Sequence, residues 1–152
     1  MNTLEIRRAT VNDVDTLAPL FDAYRQFYEQ APDVDLAARF LRERLSRDES
    51  VVLLAVDPAL GAVGFCQMYP GFCSVEAAPI VTLYDLYVRP DARRTGAGRA
   101  LMQAAEAHCR AHGVARMDLS TAHSNVQAQA LYESLGWVRD TVYSVYNRSL
   151  GD

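Results

Sequence analysis

Two stretches of this chain carry residue types at spacings that could do chemistry. The first is Arg93-Arg94-Thr95-Gly96-Ala97-Gly98-Arg99, which lies between an apolar run, Leu83-Tyr84-Asp85-Leu86-Tyr87-Val88, and a helical pattern beginning near Ala100. A strand feeding a basic, glycine-bearing loop that opens a helix suits a phosphate-bearing ligand. Backbone N–H groups point at the anion, the helix dipole favours it, and glycine keeps side chains out of the way. It is not a dinucleotide fingerprint, because the third glycine of G-x-G-x-x-G would fall at Leu101, and it is not a P-loop, because no Gly-Lys-Ser/Thr follows. What stands is R-x-x-G-x-G from Arg93 to Gly98, and an accidental pair of glycines at a helix start is the plainer alternative.

Asp85 is the second feature. An acid inside an apolar strand costs energy unless it is paired, which often marks a site. Period-two alternation places its side chain with Leu83 and Tyr87 and opposite Leu86. It would bind an ammonium, take a proton from an amine, or serve as a satisfied structural carboxylate bonded to a neighbouring amide.

The elements around these stretches follow from pattern. Leu4 to Ala9 alternates as a strand, and Thr10 with Asp13 forms a capping box before a helix with Leu17, Leu20, Phe21, Tyr24, Phe27 and Tyr28 at helical spacing. Pro32 ends it, and Asp33 or Asp35 caps a second helix. Val51 to Val56, a turn at Asp57-Pro58-Ala59-Leu60-Gly61, and Ala62 to Met68 read as a hairpin; Pro70-Gly71-Phe72 breaks it, and a loop runs to Pro79. Ile80 to Val88 is the next strand, Ala100 to His112 a helix closed by Gly113, Met117 to Ser120 a strand, Asn125 to Ser134 a short helix ended by Gly136, and Trp137-Val138 with Val142 to Tyr146 a final pair of strands. The order βααβββαβαββ gives an α/β (α+β) sandwich with a mixed, largely antiparallel sheet and helices on both faces.

The chain has 152 residues and a net charge of −4, which fits one domain over residues 1–152 and argues against non-specific nucleic-acid binding. All 15 basic residues are arginine, so a catalytic lysine is excluded. Three cysteines, an odd number, and no signal peptide at the start point to reduced thiols in the cytoplasm; no apolar run is long enough to span a bilayer. His108 and His112, four apart with Cys109 between them, have a spacing that can bind metal, but no acidic third ligand follows in a recognisable motif, so no metal is expected.

The loop, with Val88-Arg89-Pro90 before it, resembles the coenzyme A signature of the GCN5-related N-acetyltransferase (GNAT) superfamily, Q/R-x-x-G-x-G/A. Downstream, Asn125-Val126-Gln127-Ala128-Gln129-Ala130-Leu131-Tyr132-Glu133-Ser134-Leu135-Gly136-Trp137 is similar to that family's N-x-x-A-x-x-L-Y-E-x-x-G-F/W segment. The resemblance covers nearly the whole chain. It implies transfer of an acetyl group from acetyl-CoA to a primary amine, by direct attack in a ternary complex. It places the pyrophosphate on the backbone from Arg94 to Arg99 beside Arg93, including Thr95, Gly96, Ala97 and Gly98. The pantetheine would run along Leu86, Tyr87 and Val88 to Asn125, with an amide near Leu86 or Tyr87 as oxyanion donor and Tyr132 assisting the thiolate. Tyr84 to Val88 and Tyr24 to Tyr28 resemble the polyamine and histone acetyltransferase branch. Tyr28, Glu29, Glu76 and Asp85 then become candidates for holding a small cationic amine by charge and cation–π contact. Peptide or protein N-acetylation and a non-catalytic CoA-binding module are the alternatives. The superfamily's C-terminal strands also imply a homodimer.

Overall fold

The computed structural model describes residues 3–151, which form two compact units, one ending at Ser120 and one beginning at Thr121. In the first unit the order is β1 (Glu5–Arg8), α1 (Val14–Phe27), α2 (Val34–Ser46), β2 (Val51–Asp57), β3 (Gly61–Cys73), β4 (Ala78–Val88), α3 (Ala97–Ala111) and β5 (Arg116–Asp118). The five strands lie in the order β1-β2-β3-β4-β5; every pair is antiparallel except β4 with β5, which run parallel. The second unit holds one helix, α4 (Val126–Ser134). No helix among the described residues is long and apolar enough to cross a membrane.

Local chemistry sets the element ends. Thr10 Oγ1 accepts the Asn12 N–H and the Asp13 carboxylate accepts the Thr10 N–H, a capping box on the 3-10 turn that leads into α1. Asp33 supplies the cap of α2, accepting the Leu36 N–H at 3.0 Å. Asp57 Oδ1 accepts the Ala59 and Leu60 N–H groups, and Gly61 takes φ 78°, which closes the β2–β3 turn.

The α1 and α2 face of the sheet is a continuous core in which Leu17, Leu20, Phe21, Ala37 and Leu41 pack on Val52, Leu54 and Phe65. Each such large side chain contributes roughly 1.5–3 kcal/mol by leaving water. On the opposite face Met68 meets Cys109 of α3, whose buried residues Ala97, Leu101, Met102, Ala105 and Cys109 repeat at helical spacing.

Two sequence expectations change. Pro70 and Gly71 do not break β3, which continues to Cys73 and pairs with β4 down to Ala78. The last β2–β3 pair is Val51 with Met68, so Pro70 stands beyond the end of β2 and costs no hydrogen bond on that side. Among the described residues, no strand forms in 137–151. Val142, Tyr143, Val145 and Tyr146 are exposed there, and Asp140 Oδ1 accepts the Val142 and Tyr143 N–H groups in a local turn. Valines and tyrosines give strand propensity, but a strand exists only when a partner takes its backbone groups.

Candidate functional site

The register of β3 and β4 shifts by one residue. Asp85 lies opposite Gln67 and Leu83 opposite Met68, so Tyr84 is the extra residue of a bulge. Cross-strand partners share a face, while Gln67 and Met68 point to opposite faces. Asp85 therefore turns to the α1 face with Tyr87 and Phe65, and Leu83 turns to the α3 face. This corrects the simple alternation, which put Asp85 and Leu83 together. The bulge gives an acid a place on the buried side while Tyr84 stays 64% exposed.

Asp85 is only 6% exposed. Gln67 Nε2 donates to its Oδ2 at 2.8 Å. Burial pushes the Asp85 carboxyl above its ordinary range, and hydrogen bonds from Gln67 and Tyr24 oppose that rise. Tyr24 is shifted upward as well, by burial and then by the Asp85 charge, which keeps its hydroxyl protonated. That hydroxyl also lies 3.4 Å from the Tyr84 carbonyl, which accepts from it. Gln67 is fully buried, and its Oε1 has no hydrogen-bond partner.

A cavity of about 370 Å³ opens beside this carboxylate. Tyr24, Arg25, Tyr28 and Gln30 line it from the end of α1, Thr82 to Asp85 from β4, and Ser120 from the segment after β5. Its size lies at the small end for ligand sites. Of the acidic candidates from the sequence, Asp85 lines this cavity and Glu29 and Glu76 do not. Glu29 is exposed on the turn after α1, at φ 65°, and Glu76 pairs with Arg116 at 3.3 Å in the β3–β4 turn. Tyr28 does line it, its ring 5.1 Å from that of Tyr24. Tyr24, Arg25 and Gln67 are absent from the sequence candidates. Gln67 alone leaves a local signal, a polar residue on the core-facing parity of a strand.

Beyond the cavity, β4 has an open edge. β5 pairs only with Ile80 to Thr82, so nothing from β5 meets residues 83–88. The Arg89 N–H bonds to the Val63 carbonyl at 2.7 Å. In an antiparallel pair such bonds alternate, so the backbone groups of Tyr87 face β3 while those of Leu86 and Val88 face the open edge. Gly64 makes this close pairing possible; a Cβ there would meet the Tyr87 carbonyl oxygen at 2.7 Å.

The basic loop continues from that edge. Arg93 Nε donates to the Val88 carbonyl at 3.1 Å, and Thr95 Oγ1 donates to the Ala92 carbonyl at 2.6 Å. Arg94 takes φ 69° and Gly96 φ 87°. Left-handed residues in such a turn direct backbone N–H groups into one concavity, which suits an anion. α3 begins at Ala97, three residues earlier than its apolar pattern indicates, and its cap, Gly96, has no capping side chain. The Ala100 N–H makes the first helical bond, to Gly96, so the preceding amides open toward the loop.

In the second unit, Asn125 stands at the start of α4 without capping it through its side chain. Tyr132 lies near the helix end with its ring 6.3 Å from that of Trp137, and its carbonyl accepts the Trp137 N–H. Gln129 accepts from Arg139 and donates to the carbonyls of Ala122 and His123, which ties this unit together. The His108 and His112 rings stack at 4.1 Å, and among the described residues no group of three or more His, Cys, Asp or Glu side chains is placed to hold a metal ion.

The profile of the acetyltransferase (GNAT) family matches residues 16–137, a span that includes the cavity, the open edge of β4, the loop and α4. The chain belongs to the GNAT family. It is 42% identical over 143 residues to the uncharacterized N-acetyltransferase YhfO of Bacillus subtilis, covering 94% of this chain and 95% of that protein. It is 32% identical to a probable acetyltransferase of Haemophilus influenzae over 103 residues, covering 68% and 70% of the two. The crystal structure of a probable acetyltransferase superposes with a TM-score of 0.91 at 38% identity, covering 97% of this chain and 99% of that one. As a GNAT acetyltransferase the protein moves an acetyl group from acetyl-CoA to an amine nitrogen.

Proposed function

We propose that the acceptor is the primary amine of a small molecule, received in the cavity beside Asp85. The observation that carries this reading is a buried carboxylate lining a small cavity next to an open strand edge. Asp85 binds the incoming ammonium and takes its proton, directly or through water. The neutral nitrogen attacks the thioester carbonyl; the C–N bond forms and the carbonyl oxygen becomes an oxyanion. The Leu86 N–H on the open edge is the proposed donor to that oxygen. The nitrogen gives up its second proton, the oxyanion re-forms a carbonyl as the C–S bond breaks, and coenzyme A leaves as a thiolate that takes up a proton, which leaves the neutral amide and the free thiol.

The pantetheine is proposed to lie along Leu86 to Val88, and the pyrophosphate on the concavity from Arg93 to Arg99, where Gly96 and the first turn of α3 supply amides without side-chain obstruction. Tyr132 enters as proton donor to the thiolate, and Asn125 as a pantetheine contact, through the sequence segment they belong to. Tyr28 is proposed as an aromatic wall for the ammonium. A polyamine is less well served, because Arg25 stands on the wall of the same cavity.

Free-thiol release with acetyl-CoA against amino acids, aminoglycosides, polyamines and peptides tests this. Turnover with a small amine and a matching N-acetyl product is expected. Stabilisation by acetyl-CoA without thiol release from any amine would contradict it and favour a binding module; turnover with peptides alone would favour peptide acetylation.

A further inference from the structure

The cavity that holds Asp85 also holds a cation. Arg25 lies near the C-terminus of α1 and lines the same wall as Tyr24 and Tyr28. Its Nη1 is buried and has no hydrogen-bond partner, and no carboxylate among the described residues pairs with it. Glu29, four residues on, is exposed and makes no ion pair with Arg25, and three other nearby acids are engaged elsewhere. Asp22 accepts from Gln26 and from the Asp33 N–H, Asp33 caps α2, and Asp85 accepts from Gln67. A guanidinium has five donors and no acceptor, and a buried donor left without a partner is unfavourable. The Arg25 cation lines the cavity with no carboxylate partner among the described residues, so an oxyanion brought in by a ligand would pair with it from the cavity side, its planar fork matching a carboxylate or phosphate edge.

We infer that the acceptor is zwitterionic: besides the amine received by Asp85, it carries an oxyanion that Arg25 binds, as a small amino acid or an aminoalkyl phosphate does. This rests on the cavity being the acceptor site. The two opposite charges on one small wall give the ligand a direction. The ammonium end is drawn to the carboxylate by β4, and the oxyanion end to the end of α1. A polyamine would bring a second ammonium to a like charge, which costs affinity. Tyr24, Tyr28 and Tyr84 give the space between the two ends aromatic walls.

The test uses the full chain and matched sets of acceptors. L-phenylalanine, L-leucine and L-methionine are each compared with their primary amide and their decarboxylated amine, with O-phosphoethanolamine beside ethanolamine, and with spermidine. Thiol release gives kcat/KM, and a thermal shift with coenzyme A present gives binding independently of turnover. The expected result is a preference of about tenfold or more for the anionic member of at least one set, carried mainly by KM. In Arg25→Gln that preference collapses to within about twofold, and Arg25→Lys keeps part of it because the charge remains while the fork is lost. A Tm of Arg25→Gln equal to the wild type shows that the change is not misfolding; if that variant is unstable, Arg25→Lys decides by the same ratio. Equal or better use of the amides, amines or spermidine by the wild type overturns the inference, as does a ratio unchanged in the variants. If no amine in the panel releases thiol, the acceptor reading fails on its own. The thermal shift still decides this inference: stabilisation by anionic amines that is lost in Arg25→Gln supports it, and no such stabilisation overturns it.

Discussion

The open edge of β4 with its following loop, and the cavity beside Asp85, are built from different materials. The first is mostly backbone: the edge groups of Leu86 and Val88, the left-handed residues Arg94 and Gly96, and the uncapped first turn of α3. The second is mostly side chains from separate elements: Asp85 from β4, Gln67 from β3, and Tyr24 and Arg25 from α1. A backbone site tolerates many side-chain changes and fails when its conformation changes. A side-chain site fails at single atoms. The two regions are therefore expected to break in different ways.

The largest effect is expected at Asp85. In Asp85→Asn, kcat/KM for the amine falls by about a hundredfold or more, the scale of general acid–base catalysis, while KM for acetyl-CoA moves little. The stability sign is the reverse. Burial raises this carboxyl above its ordinary 3.8, so the native state holds the proton more tightly than the unfolded chain does. The penalty is absent below 3.8 and fully present above the raised native value, so at pH 7 the variant's Tm is expected to equal or exceed that of the wild type. Scanning calorimetry checks this, and a lower Tm would mark Asp85 as structural.

The backbone side is expected to respond next. Gly96 sits at φ 87° with open space around its Cα, so Gly96→Ala adds no clash but forces alanine into the left-handed region, costing about 1–2 kcal/mol. KM for acetyl-CoA should rise several-fold with the amine KM nearly unchanged; the opposite pattern would remove the loop from the cofactor. Gly64→Ala tests the strand pairing itself. Its Cβ would meet the Tyr87 carbonyl, and urea unfolding should show a loss of about 1–3 kcal/mol. The smallest effect is expected in Gln67→Met. Losing a hydrogen bond that holds the Asp85 carboxyl down should move the acidic limb of the kcat/KM profile to higher pH, with a modest fall in the plateau.

The same contrast explains what was legible in the sequence. The loop is contiguous, so its glycines and arginines could be read as an anion cradle before any fold was known. The capping box at Thr10 and the turn at Asp57 are equally local. Asp85 stood out because it is polar in an apolar run, but its partners did not. Gln67 is 18 residues away, and Tyr24 lies on another element; only the strand register and helix packing join them. The bulge at Tyr84 inverts the facing of Leu83 relative to Asp85, and no period-two pattern encodes one extra residue. The final strands mark the other limit. Val142 to Tyr146 is rich in β-branched and aromatic residues, but strand propensity names no partner, and no strand forms there in the described chain.

The most direct test of the account is the pH dependence of kcat/KM for the best amine acceptor, in the wild type and in Asp85→Asn, from pH 4 to 9. The wild type should show an acidic limb displaced upward from 3.8, superimposed on the ionisation of the amine itself, and the variant should lose that limb while keeping the amine's. Identical limbs in the two proteins, at comparable rates, would contradict Asp85 as the group that receives the acceptor's proton.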